Sequence, residues 1–420
     1  MDQDKFPISF WEYEGIKGFP LSGVDDWHDA GMTVAMSPSF SMDAPEDVQK
    51  IRTILDMCRD RGMKAILWTS PGAPANPSAP WEEIYREWIA KMLRAFGDHP
   101  AVYGPHLGDE PNKEHFHHAC TAMRIWREMA PQWSPYLNLL PWHFTLHDTV
   151  GYDRWPVYLD DYCTHAQPPF IAYDCYYQMN PGMMGEEIYF TNLKYYSEAA
   201  QRNNTWFWTT LMCTPHYDYR ELSEAEFRWQ LNTALAWGAK GISWFVFSQR
   251  GGSYQNYRYA PINNLGKRSE SFAWLSNVNS IFLNTKAPVL KQLRFKKAYN
   301  AHINFAWGGF PVCEPDWRVK CVTSDTPMIV SEFTHPDGSD YVALTNMSRD
   351  RNTHPTFAVA GRRPMLLSVG WNGAEVRVDH PGGGASGASV RGRSDDYIAV
   401  HQYFAAGQME LYRVVDEGQK

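Results

Sequence analysis

Along the first 290 residues, helix-like segments close on a glycine and hand over directly to a short apolar strand. Asp25–Ala30 passes through Gly31 into Met32–Met36, and Asp47–Arg61 through Gly62 into Lys64–Trp68. Phe227–Trp237 does the same through Gly238 and Gly241 into Ile242–Phe247. Glycine suits the left-handed position that ends a helix. Strands that are apolar without alternation need cover on both faces, which is the condition of a parallel sheet flanked by helices. Candidate strands lie at 7–13, 32–36, 64–68, 101–108, 135–140, 170–175, 205–212 and 242–248, with helical patterns at 47–61, 81–96, 112–129, 186–201, 223–237 and 269–283. Eight such units match the size of a closed (β/α)8 barrel. The competing open, doubly wound sheet lacks support, because neither a G-x-G-x-x-G nor a Walker-type phosphate loop occurs.

Beyond residue 290 the pattern changes to period-two segments separated by turn signals. Met328–Thr334 and Tyr341–Asn346 flank Asp337-Gly338, Met365–Val369 and Ala374–Val378 flank Asn372-Gly373, and Asp396–Tyr403 and Gln408–Val414 flank Ala405-Ala406-Gly407. These read as hairpins of a small antiparallel β-sandwich. The expected fold class is therefore α/β, a TIM barrel over 1–290 followed by a sandwich over 291–420. The stretch Gly382–Gly387 reads as a mobile loop, not a phosphate cradle.

Composition narrows the function. A net charge of −8 without clustered Lys or Arg argues against a nucleic-acid partner. Eighteen Trp, 23 Tyr and 21 Phe serve equally to fill a large core and to stack on sugar faces. Seven scattered cysteines without a C-x-x-C spacing read as free thiols. No apolar run approaches the roughly 20 residues of a membrane helix, and no secretory leader is visible. The expectation is a cytoplasmic protein as written, secreted or periplasmic if a leader has been removed. Whether it forms a homo-oligomer stays open.

Catalytic groups of a TIM barrel sit at the C-terminal ends of its strands. The fourth strand ends Gly108-Asp109-Glu110-Pro111. Two adjacent carboxylates there would suit acid/base work; they would also suit a helix N-cap, although a cap needs only one. Strand six ends at Asp174 among Tyr173, Tyr176 and Tyr177. Strand one carries Glu12 and Glu14, of which one points into the mouth if the strand continues. Glu12, Trp68, His106, Tyr176, His216, Trp244 and Gln249 lie at or near strand ends, where they would bind substrate; Arg250 would serve for hydroxyls or an acidic group. His115, His117, His118 and Cys120 read as a solvated helix face rather than a metal site. Neither a metal nor another cofactor is expected.

The string Leu107-Gly108-Asp109-Glu110-Pro111 resembles the "GDEP" strand end of several bacterial (β/α)8 glycoside hydrolases, and Leu235–Trp244 resembles their entry to strand eight. The resemblance implies a carbohydrate substrate and a glycosidase activity. In relatives similar to clan A glycosidases the strand-four acid is the general acid/base, which by likeness falls on Glu110. Those enzymes also carry a nucleophilic Glu at the end of strand seven, whereas Thr205–Asp218 contains none. The partner carboxylate is then Asp174, Asp218 or Glu12, with Asp174 preferred and Asp109 as an orienting group. A strand-four/strand-six pair is also used by the α-galactosidase-like clan. The competing readings are a non-catalytic glycan-binding barrel and a barrel enzyme of different chemistry.

Overall fold

The computed structural model describes residues 5–70, 81–182, 184–250, 255–303, 305, 309–379 and 387–418. The chain divides into two compact units. One holds Pro7–Glu221 and Lys240–Ser276; the other holds Phe6, Leu222–Ala239 and the chain from Asn277 onward. Among the described residues no helix is long and apolar enough to cross a membrane.

The first unit is built on an all-parallel sheet. Its strands are β1 (Ile8–Phe10), β2 (Val34–Met36), β3 (Lys64–Leu67), β4 (Val102–Asp109), β5 (Tyr136–Leu139), β6 (Ile171–Asp174), β7 (Phe207–Met212) and β8 (Gly241–Phe245). They pair in the order β1-β8-β7-β6-β5-β4-β3-β2. The seam between β1 and β2 is held by the Thr33 amide donating to the Ile8 carbonyl (2.9 Å) and the Ile8 amide donating to Thr33 Oγ1 (2.8 Å). The ring is closed, and the fold is a (β/α)8 barrel. Glycines 31, 62 and 238, read from the sequence as helix stops, all adopt positive φ.

The longest helix to escape the sequence reading lies after β5. Trp155–Ala166 runs between β5 and β6 and buries Trp155, Tyr158, Leu159, Tyr162, Cys163 and Ala166. That spacing is helical, but aromatic residues and Pro156 carry it in place of aliphatic ones.

Much of the aromatic content fills the barrel. Phe170 stacks on Trp208 with ring centres 4.5 Å apart, and Trp11 meets His106 at 5.2 Å and Tyr136 at 6.4 Å. Gly241 makes room for this packing, since a Cβ there would lie 2.1 Å from the Trp208 ring.

The second unit contains two antiparallel sheets. One has the strands Val319–Thr323, Thr356–Ala360, Tyr397–His401 and Ser389–Arg393 in that order; the other has six strands centred on Met409–Val415 and Asp340–Asn346. Their inward residues, among them Val330, Leu344, Phe357, Val400 and Tyr412, form one apolar core. The hairpins at Asp337-Gly338 and Asn372-Gly373 form as the turn signals predict. The third does not. Tyr397–His401 pairs within the four-stranded sheet and Met409–Val415 within the six-stranded one, so Ala405–Gly407 is a crossover between sheets. The glycine-rich stretch 382–387 lies, apart from its last residue, outside the described residues. Glu224–Ala236 connects β7 to β8 along the chain but packs into this second unit: Trp229 Nε1 donates to the Met347 carbonyl (2.6 Å), and the Ser331 hydroxyl donates to that of Ala236 (2.6 Å). All seven cysteines are free.

Candidate active site

The end of β4 is shaped by a register shift. His106 pairs with Tyr136, then Gly108 with Leu137 and Asp109 with Asn138, so one extra residue is absorbed. Gly108 takes φ +156°, a value side chains rarely adopt, and Glu110 takes φ +46°. A non-glycine residue in the left-handed region costs about 1–3 kcal/mol and persists only where its surroundings impose it. Here the Glu110 amide donates to the Asn138 carbonyl at 2.9 Å.

Three carboxyl groups meet at this point. Asn138 Nδ2 donates to Asp109 Oδ1 at 3.0 Å and to Asp174 Oδ1 at 2.8 Å. Glu110 is hydrogen-bonded to Asp174, which also accepts from Tyr176. A hydrogen bond between two carboxyls requires a proton, so Glu110 and Asp174 do not ionise together. Burial raises Glu110 well above the usual carboxylate range, and the charges of Asp174 and Asp109 raise it further. Asp109 and Asp174 are raised too, chiefly by desolvation, and the Asn138 amide opposes that shift in both. By accessible surface Asp109 and Glu110 are nevertheless exposed to solvent.

Aromatic rings surround the acids. Tyr13 lies within reach of the charges of Asp109 and Asp174, and its ring meets Trp68 at 5.9 Å and Tyr257 at 6.5 Å. Tyr176 packs on His216 and Phe245, each at 5.3 Å. On another side Tyr177, which feels the charge of Glu110, stacks on His143 at 4.8 Å, and His143 touches the exposed Phe144.

The sequence-predicted residues divide accordingly. Asp109, Glu110, Asp174 and Tyr176 form one hydrogen-bonded group, and Trp68 and His216 join the aromatic surround. His106 is buried within the barrel, and that burial pulls its pKa down to about 4, leaving it neutral. His216 is lowered to about 4 for the same reason, with Nδ1 at 2.9 Å from the Thr214 carbonyl. Gln249 uses its side chain on the Tyr257 carbonyl at 2.6 Å, holding a loop. Trp244 is fully buried; alternation puts it opposite Phe245, whose ring takes the mouth-facing position. Glu12 likewise alternates with Tyr13 and faces away from the acids: its Oε1 accepts from the amides of Tyr13 (2.9 Å) and Glu14 (3.0 Å). Glu14 pairs with Arg250 at 3.3 Å. Asp218 is exposed on the loop after β7.

Sequence reasoning passed over Tyr13, Asn138, His143, Phe245 and Tyr257. For Asn138 a signal was present: a polar residue inside the apolar strand Tyr136–Leu139 must find partners when buried.

No family model matches the chain, and no curated protein matches it. Solved structures do. A glycoside hydrolase superposes with a TM-score of 0.59 at 9% identity, covering 99% of this chain and 93% of its own. A family 5 glycoside hydrolase from Bacteroides vulgatus ATCC 8482 gives 0.53 at 11%, covering 99% and 90%. A family 39 glycoside hydrolase from the gut symbiont Bacteroides cellulosilyticus WH2 gives 0.51 at 11%, covering 98% and 81%. The chain has the fold of a glycoside hydrolase. At these identities the likeness is one of architecture, and the chemistry rests on the residues of this chain.

Proposed function

We propose that the protein is a glycoside hydrolase in which Glu110 is the proton donor, with residues 1–290 as its catalytic barrel and 291–420 as an accessory sandwich. The observation that carries this reading is the solvent-reached Glu110, hydrogen-bonded to Asp174 at the C-terminal end of a barrel sheet and surrounded by aromatic rings. Hydrolysis of an acetal needs a protonated acid at the leaving oxygen and a carboxylate for the anomeric carbon or the attacking water. Glu110 keeps its proton because it shares the site with two other acids. It gives that proton to the glycosidic oxygen as the C–O bond breaks.

Asp174 supplies the second carboxylate, either attacking the anomeric carbon or taking a proton from water, and Asp109 orients the sugar. At rest Glu110 and Asp174 interact directly, whereas a working pair needs room between its carboxyls, roughly 5–5.5 Å for retention and 6.5–9.5 Å for inversion. Entry of a sugar ring therefore has to part the two groups. Neither Asp109 nor Glu110 has a Lys, Arg or His among the charges acting on it, and Arg250 is paired with Glu14, so an uncharged sugar fits the mouth better than an acidic one.

Turnover of a panel of aryl glycosides and glycans by the wild type and by Glu110→Gln tests the reading. Hydrolysis that the substitution lowers by orders of magnitude supports it. Binding of glycans without turnover would move the protein to the glycan-binding reading.

A further inference from the structure

One residue touches all three acids, and it is not itself an acid. The Asn138 carbonyl accepts the Glu110 amide at 2.9 Å, while its side-chain nitrogen donates to Asp109 at 3.0 Å and to Asp174 at 2.8 Å. The side chain is 2% exposed, and its own Oδ1 has no hydrogen-bond partner among the described residues. An unpartnered buried carbonyl oxygen is costly. Turning the amide over would be costlier still, since it would set oxygen against two carboxylates. The donor end is thereby committed to the two aspartates.

We propose that Asn138 is a positioning residue that decides which of the three acids holds the proton. This inference rests on the glycosidase reading for its catalytic meaning, but not for its test. A primary amide nitrogen can only donate. It stabilises Asp109 and Asp174 as acceptors, in their ionised forms, and offers nothing to the Glu110 carboxyl. The one proton between Glu110 and Asp174 is therefore driven to Glu110, where a proton donor needs it. At the same time the Asn138 carbonyl holds the strained backbone of Glu110, so a single side chain and its own peptide set both the charge state and the direction of the donor.

Other groups around the acids do not compete for this role. Tyr13 from the end of β1, Tyr136 from β5, and Tyr176 and Tyr177 from the loop after β6 face the cluster, and burial raises each phenol above its ordinary value. Tyr158, Tyr173, Tyr196, Tyr219 and the Cys175 thiol also feel these charges and are raised for the same reason. His106 and His216, lowered by burial, stay neutral above about pH 5. None of these groups titrates between about pH 5 and 9; Tyr176 supports Asp174 alone, and Asn138 is the donor that serves both aspartates.

The test needs two measurements on the full chain. The first follows carboxyl ionisation without substrate, by NMR of protein labelled with ¹³C at the Asp and Glu side-chain carboxyls, assigned with Asp174→Asn and Glu110→Gln. In the wild type Glu110 should be the last of the three to ionise. An aspartate that keeps its proton longer than Glu110 overturns the proposal, whether or not the protein hydrolyses any glycoside. The second compares Asn138→Ala and the isosteric Asn138→Asp. Loss of the donors should move the aspartate titrations upward by about one to two pH units. The acid limb of kcat/KM, where a substrate is turned over, should follow them. Lowered melting temperature with unmoved titrations in both variants would make Asn138 a structural residue only and overturn the proposal. If neither variant folds, the wild-type order of ionisation still decides it.

Discussion

Glu12 and Glu110 both have carboxyls shifted upward by burial, and they do opposite things with it. Glu12 lies two residues beyond the first strand, fully enclosed, with two backbone amides on Oε1 and a pKa pushed up to about 8. Glu110 lies at the end of the fourth, open to solvent, with a strained backbone and a second acid at hydrogen-bond distance. A perturbed acid marks a functional site only when a substrate can reach it. Access and the company of a second carboxyl separate the two residues here, and the separation depends on strand alternation: Tyr13 takes the inward position, leaving Glu12 behind the wall.

The largest effect expected from this contrast belongs to Glu110. Glu110→Gln should lower kcat by about 10²–10⁴-fold, the range lost with a general acid, while the melting temperature holds or rises because a crowded charge site is relieved. Steady-state kinetics and a thermal melt on the same preparation check both, and unchanged turnover would remove Glu110 from the mechanism. Asp174→Asn comes next. It should cost about 10²-fold or more and move the alkaline limb of the pH profile downward, because the Asp174 charge is one of the effects that hold Glu110 protonated. A smaller effect is expected from substrate charge. Glu14 has Arg250 beside it whereas Glu110 has no cation, so a neutral aryl hexoside should exceed the matching uronide in kcat/KM by at least about tenfold, like charges in a partly desolvated mouth being unfavourable. A preference for the uronide would break that part of the comparison.

The sequence carried the barrel because its signals are local: glycine stops close three of the helices, short apolar strands recur along the chain, and six of the eight observed strands fall inside the expected spans, β4 and β8 each extending one residue beyond at one end. Asp109, Glu110 and Asp174 were legible for the same reason, Asp109 and Asp174 each closing an apolar strand and Glu110 following directly. It did not carry Asn138, because one amide in a four-residue strand gains meaning only when two neighbouring strands bring their acids to it. Tyr13 was hidden by its flanking glutamates, which drew attention to the residues that alternation turns outward. The crossover at Ala405–Gly407 was misread as a hairpin because a turn signal reports a change of direction and not which sheet receives the next strand.

The smallest catalytic effect, and the sharpest use of the contrast, lies in Glu12→Gln. Glu12 stands away from the three acids, so kcat should stay within about threefold of wild type, the amide preserving shape and the acceptor for the Tyr13 and Glu14 amides. Stability should respond instead, and its sign is fixed by linkage. In the unfolded chain this carboxyl titrates near 4.5, and in the folded one near 8. Between those values the folded state binds the additional proton, so its contribution to stability falls as pH rises through the window and is least favourable above pH 8. Glu12→Gln cannot ionise, so the gap in melting temperature between variant and wild type should widen in the variant's favour from pH 5 to pH 8. Melting curves across that range, paired with activity at each pH, read out both halves. A flat gap would mean that Glu12 is already ionised in the folded protein, and a collapse of kcat would mean that the first strand's acid serves the chemistry after all.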